Sequence, residues 1–311
     1  MHTLICGSIA YDTIMVFPGR FKEHILPEQL HILNVAFLVP DMRREFGGCA
    51  GNIAYNLKML GGNALIMATV GDDYQSYAYR LEKLQLTQRQ IKQVADTFTA
   101  QAFITTDLDD NQITAFHPGA MNHSHLNHIA DAKDVSIGIV APDGRDGMLQ
   151  HARELHAAGI PFIFDPGQGL PMFDGAELLD FVRMADYLTV NDYEAQLLQE
   201  KTGQTLDQLA QLVLGLVVTL GAQGSLIYAQ GQRIVIPCVK ADQVIDPTGC
   251  GDAYRAGLLY GLEQGMDWEL TGRLAGLLGA LKIAQRGGQN HRFTRDEIAV
   301  RFKQNFGITV W

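Results

Sequence analysis

The chain is poor in several things, and each shortage excludes something. Of its 311 residues only four are cysteine (Cys6, Cys49, Cys238, Cys250), and no two of them form a C-x-x-C pair. A disulfide framework and a thiolate zinc site are therefore not expected, and free thiols point to a cytoplasmic protein. No Gly-Lys-Ser or Gly-Lys-Thr occurs, so there is no Walker A phosphate loop. Apolar runs such as 212–220 and 274–284 fall short of the roughly 20 residues that cross a bilayer. The opening MHTLICGSIAYD carries no Lys or Arg and reads as a strand rather than a signal peptide. Positive charge is scarce as well: 24 Lys+Arg stand against 34 Asp+Glu, a formal charge of −10. That balance argues against nucleic acid or an anionic membrane as a partner held by bulk charge. What is abundant is apolar residues (47%) and glycine (32). The first supports a sizeable core, and the second suggests tight turns or backbone held close to a ligand.

Short apolar runs at 3–6, 64–70, 135–140, 161–165, 187–190 and 216–220 are rich in Val, Ile and Leu, and most do not alternate. Strands buried on both faces of a parallel sheet look like this. Helical spacing fills the gaps at 52–60, 74–84, 148–158, 193–200 and 206–214, and returns at 274–285. The expected fold is α/β: a three-layer α/β/α sandwich around a mostly parallel sheet. Segments 225–228 and 233–236 extend one sheet edge as an antiparallel pair. Two stretches break the rhythm. Segment 13–46 alternates around 33–39, and 98–118 reads as a hairpin turning at 108–111. Both are expected to pair into a small inserted β lid, leaving 1–12, 47–97 and 119–311 as a single core.

The most informative stretch is DPTGCGDAYRAG at 246–257. Pro247, Gly249 and Gly251 forbid helix up to about Gly251, and a helical face follows with Tyr254, Leu258 and Leu262. A glycine-rich loop entering a helix presents free N–H groups and the positive end of the helix dipole, which together hold an anion. Asp252, in the first turn, is placed either to cap the helix or to take a proton from a hydroxyl attacking a phosphoryl group.

This stretch resembles the second signature of the ribokinase-like (PfkB) family of sugar and nucleoside kinases, and GGCAGN at 47–52 resembles the first. Their order and separation fit that family over essentially the whole chain. The resemblance implies Asp252 as catalytic base, with the amides of Gly249, Cys250 and Gly251 stabilising the transferred phosphoryl group. It implies Asp12, Gly48 and Asn52 around the hydroxyls of the acceptor. Asn191 and Glu194, in an N-x-x-E pattern, would organise Mg²⁺ through water. Thr219, Gly221 and Gly224 would form a nucleotide loop, and His291 would help close the adenine pocket of ATP. A monovalent cation such as K⁺ near Asp246 and Thr248 is a further family feature. The segment DPGQ at 165–168 departs from the Asp-x-Asn type common among the sugar kinases.

Other features have plainer readings. His123, His125 and His128 lack a carboxylate or thiol at ligand spacing and read as a solvated loop. Cys250, at a helix start, should have a lowered thiol pKa. Arg255 suits a phosphate, an outward face or a buried stem equally, and Arg43 and Arg44 sit at the mouth of the expected site. Apolar residues of the lid segments (Ile32, Val35, Phe37, Val39, Phe103, Ile113 and Phe116) exceed what a bare sugar needs, though the inside of a two-layer lid would account for many of them. Taken with the likeness of the longer motifs to bacterial adenosine kinases, they favour transfer of the ATP γ-phosphoryl to the 5′-hydroxyl of adenosine, giving AMP and ADP in purine salvage. A ribokinase or other sugar kinase, and a non-catalytic nucleoside sensor on the same fold, remain open. So does the assembly, as a monomer or a homodimer paired through the lid.

Overall fold

The computed structural model describes residues 1–25, 32, 34–109 and 111–311, so Leu33 and Asp110 of the segments above lie outside the described residues. Strand β1 (His2–Cys6) pairs in parallel with β4 (Ala64–Val70) on one side and β8 (Val135–Val140) on the other. From β8 the sheet continues in parallel through β9 (Phe162–Phe164), β10 (Tyr187–Asn191) and β11 (Gly215–Thr219). An antiparallel pair, β12 (Ser225–Ala229) and β13 (Gln232–Ile236), finishes that edge as expected, and β5 (Thr87–Gln93) finishes the other.

The apolar runs do not alternate because both faces of the sheet are covered. In β1, Ile5 joins one core cluster while Leu4 and Cys6 join the other; in β11, Val217 separates from Leu216 and Val218 in the same way. One face packs under α1 (Cys49–Met59), α2 (Gln75–Lys83), α7 (Cys250–Glu263), α8 (Trp268–Ile283) and α9 (Arg295–Phe306). The other packs under α3 (Arg145–Ala157), α4 (Gly175–Met184), α5 (Asp192–Thr202) and α6 (Leu206–Ala210). Fully buried side chains such as Leu57, Leu258, Phe302 and Phe181 each contribute about 1.5–3 kcal/mol against exposure. Among the described residues no helix is long and apolar enough to cross a membrane.

Helix α6 is shorter than its apolar spacing suggests. It stops at Ala210, leaving Leu212 41% and Leu214 62% exposed, because the chain must turn before entering β11 at Gly215. The segment around 33–39 also differs from expectation. From 34 to 40 its burial does alternate, yet among the described residues it pairs with no strand. Phe37 packs instead on Phe17 and Phe21, at ring distances of 4.8 and 5.0 Å.

The second sheet has four strands in the order β3 (Asp41–Gly47), β2 (Ala10–Val16), β6 (Ala100–Thr106), β7 (Gln112–His117). Asp12 therefore stands inside β2. The register pairs Asp12 with Glu45 and Ala102, and Ala102 with Phe116. Residues paired across strands share a face, so Asp12, Ala102, Phe116, Ile14 and Ile104 lie on one side. Phe103 and Ile113 fall on the other side, which corrects their grouping with Phe116. In the large sheet the strand order turns back between β1 and β8, and open α/β sheets bind ligands beyond the carboxyl ends of strands at such a point.

Candidate active site

Helix α1 starts beside that switch point. Gly48 caps it at φ +84°, where an added Cβ would lie 2.5 Å from the Ser8 carbonyl oxygen, so only glycine fits. The Ser8 hydroxyl accepts from the Cys49 amide and the Ser8 carbonyl from the Ala50 amide, fixing the helix start against the end of β1. One turn along, Asn52 is 4% exposed and points its amide nitrogen at Asp252, 2.9 Å from Oδ2. Its own Oδ1 accepts from Gln289 Nε2 at 3.1 Å. The first signature thus meets the second through one hydrogen bond.

Helix α7 begins at Cys250, slightly earlier than expected, with Gly249 as its left-handed cap (φ +78°). The Thr248 amide is held by Asp246 Oδ1 at 2.9 Å and the Cys250 amide by the Pro247 carbonyl at 3.1 Å. Of the three amides expected to face an anion, Cys250 is therefore already engaged, while those of Gly249 and Gly251 have no acceptor among the described residues. Asp252 stands beside them. Burial, chiefly, with Asp165 and Asp12 adding to it against the pull of Asn52 and Arg255, raises its carboxyl pKa to about 6. A carboxylate so placed is a usable proton acceptor near neutral pH. The Cys250 thiol goes the opposite way from expectation. Burial pushes it up to about 11, outweighing the helix start and Lys282.

Arg255, one turn further along α7, is buried and bidentate to Asp165, with Nε–Oδ2 and Nη2–Oδ1 both 2.9 Å. Its Nη2 also lies 3.9 Å from Glu194 Oε2, and Nη1 donates to the Gly251 carbonyl at 3.4 Å. Asp165, the first residue of the DPGQ segment, thus neutralises the cation that braces the loop. Sequence reasoning left Arg255 open and did not find its partner. It also missed Gln289 and Tyr77. Tyr77 donates to the Gly47 carbonyl at 2.8 Å and accepts from Gln289 Nε2 at 2.7 Å, tying the end of β3 to the loop after α8. No local pattern marks either contact.

Asp12 makes no hydrogen bond among the described residues, although burial, Asp246 and Glu45 raise its pKa to about 6. A half-buried carboxylate with free oxygens is suited to accept from two neighbouring hydroxyls. Asn191 and Glu194 form a capping box at the start of α5: Asn191 Oδ1 accepts from the Glu194 amide (2.7 Å) and Glu194 Oε2 from the Asn191 amide (2.8 Å). Burial, first, and Asp165 raise the Glu194 pKa. A carboxylate and a carboxamide oxygen form a hard donor pair that fits Mg²⁺.

Thr219 closes β11 opposite Ser225, and Gly221 (φ +55°) and Gly224 (φ +88°) shape a short 3-10 turn into β12. His291 lies inside the fold. Its ring is 2% exposed, with Nε2 2.7 Å from Asn56 Oδ1, and the Tyr55 hydroxyl donates to its carbonyl. Burial lowers its pKa to about 4. Its buried ring joins α1 to the C-terminal segment. Of the histidines at 123–128, His128 pairs with Glu154 at 2.9 Å and His123 is exposed. Near Asp246 and Thr248, where the resemblance implies a monovalent cation, the Lys282 ammonium donates to the carbonyls of Asp246 and Gln285, each at 2.8 Å.

A carboxylate at a helix start, next to free amides at the switch point of a doubly wound sheet, belongs to a phosphotransferase with an alcohol acceptor. More narrowly, the chain belongs to the pfkB family of carbohydrate kinases, whose description, "pfkB family carbohydrate kinase", matches residues 10–294. It is 32% identical over 309 residues to a nucleoside kinase of Methanocaldococcus jannaschii, covering 98% of both chains. The solved Burkholderia thailandensis nucleoside kinase in complex with inosine superposes with a TM-score of 0.90 at 57% identity, covering 99% of both chains. The same protein in complex with ADP-inosine gives a TM-score of 0.88 at 58% identity, covering 99% of this chain and 97% of that one.

Proposed function

We propose that this protein transfers the γ-phosphoryl group of ATP to the 5′-hydroxyl of a purine nucleoside. The observation that carries this reading is the meeting of Asp252, Asn52 and the amides of Gly249 and Gly251 at one point, with Asp12 on the adjoining sheet face, the two amides and Asp12 having no partner among the described residues. Asp12 and Asn52 receive the ribose 2′- and 3′-hydroxyls. The base lies against the apolar residues on the Asp12 side of the small sheet: Ile14, Ala102, Ile104 and Phe116. Asp252 takes the 5′-hydroxyl proton as the oxygen attacks phosphorus, and the Gly249 and Gly251 amides stabilise the charge on the phosphoryl oxygens. Arg255, spent on Asp165, keeps Gly251 in place. Asn191 and Glu194 would hold Mg²⁺, which when bound would neutralise phosphate charge. The turn Thr219, Gly221 and Gly224 receives the nucleotide.

Adenosine is the acceptor favoured by the sequence. Inosine, named with a neighbour at 57% identity, supports widening the acceptor to purine nucleosides. A panel of adenosine, inosine, ribose and fructose with ATP and Mg²⁺ tests this. Nucleosides are expected to exceed both sugars in kcat/KM by orders of magnitude, with phosphate on the 5′ oxygen. A preference for ribose or fructose would overturn the assignment.

A further inference from the structure

Lys282 lies in the last turn of α8 with its side chain wholly buried, at 0% exposure. Its acceptors are two main-chain carbonyls, Asp246 and Gln285, each at 2.8 Å. The Asp246 carboxylate is engaged elsewhere: Oδ1 accepts from the Thr248 amide and Oδ2 from the Gly287 amide, at 2.9 and 2.8 Å. Burying an ammonium costs several kcal/mol, and neutral carbonyls offset only part of that. Burial accordingly pulls the Lys282 pKa down, with Asp246, Cys250 and Asp252 pulling it back up. The position is also particular. The Lys282 stem runs directly beneath the cap of α7, where a Cβ added to Gly249 would lie 3.7 Å from Lys282 Cε. A positive charge coordinated by carbonyl oxygens at the root of an anion-holding loop is what a bound monovalent metal ion would otherwise provide.

We propose that the Lys282 ammonium is the built-in cation of the phosphoryl-transfer loop: it ties Asp246 to Gln285, holds Gly249 in its left-handed turn, and leaves no room for the monovalent ion implied by the family resemblance. Lys282 is a positioning residue, acting through the loop rather than touching the reacting atoms. The effect on turnover rests on the kinase reading above, whereas the displacement of the ion does not.

The test compares chloride salts of potassium, ammonium and tetramethylammonium at equal ionic strength. Melting temperature and turnover are read for the wild type and for Lys282→Met, which keeps the apolar stem and frees the space of the ammonium. The wild type should melt at the same temperature in all three salts and turn over at rates within about twofold. Lys282→Met should lose about tenfold or more of kcat in tetramethylammonium, less than the loss of a direct oxyanion donor. It should regain turnover, and melt higher, in potassium or ammonium. Strong activation or stabilisation of the wild type by potassium overturns the proposal. So does a Lys282→Met protein that keeps full turnover without potassium, or that loses turnover and recovers none with any ion, as a mere packing residue would behave. If Lys282→Met does not fold, the wild-type comparison alone decides. If the wild type phosphorylates no nucleoside or sugar, the melting comparison still decides for the ion while the kinase reading fails separately.

Discussion

The start of α7 and the Asp12 face of the small sheet bound the same site, yet they are built in opposite ways. Around α7 nearly every polar group has a protein partner: Asp252 has Asn52, Arg255 has Asp165, Lys282 has two carbonyls, and Thr248 has Asp246. On the small sheet Asp12 has none among the described residues, and Phe116 is 52% exposed. Charge that develops during a reaction is best met by groups already fixed in place, since groups that must reorient give up part of what they stabilise. The acceptor side, by contrast, must remain unsatisfied until a ligand supplies hydroxyls and a ring. One half of the site is thus a finished electrostatic device and the other an open receptor.

Mutations should separate the two halves. The largest effect belongs to Asp252→Asn, which should lower kcat by about 10²–10⁴-fold while leaving nucleoside binding intact, as calorimetry would read. The same change should raise stability. A carboxyl held near pKa 6 in the fold, above its ordinary value of 3.8, destabilises the native state once ionised. The gain in melting temperature should therefore be full above about pH 6 and vanish toward pH 4. Next, Asp165→Ala strands the buried Arg255 and should cost about 3–5 kcal/mol in denaturant unfolding, since one partner of a buried pair is removed. On the receptor side, Asp12→Asn should raise the nucleoside KM by about 10–100-fold with a smaller change in kcat, as expected for lost hydrogen bonds to a charged group. Smallest is Phe116→Ser, which should raise KM for purine nucleosides a few-fold and leave that for ribose unchanged. Equal effects on nucleoside and ribose would remove the base from that face and erase the contrast between the two halves.

The same contrast explains what could be read from the chain alone. The phosphoryl end is written in a few adjacent residues, because a left-handed glycine, a helix start and a first-turn acid are local chemistry. The strands of the large sheet were legible because burial on both faces leaves continuous apolar runs, although β5, TQRQIKQ at one edge, lacks that signal. Helices α4 and α9 carry capping boxes at Asp174/Glu177 and Thr294/Glu297 that were available but unread. The partners that complete the site were not legible at all. Asp165 lies 90 residues from Arg255 and Gln289 lies 237 from Asn52, so only the fold brings them together. A local rule also failed where burial overrode it. Cys250 sits at a helix start yet has a raised thiol pKa. Strand register decided that Phe116, and not Phe103, shares a face with Asp12, and no composition argument could have separated them.

The most direct test of Asp252 as the base at the junction of these halves is the pH dependence of kcat/KM for a purine nucleoside, for the wild type and Asp252→Asn. The carboxyl pKa of about 6 in the free protein predicts a wild-type kcat/KM that is flat above that pH and falls about tenfold per unit below it. Asp252→Asn should run at least about 10²-fold lower, without that break. An Asp252→Asn protein that turned over at the wild-type rate, or kept the same break near pH 6, would contradict the account.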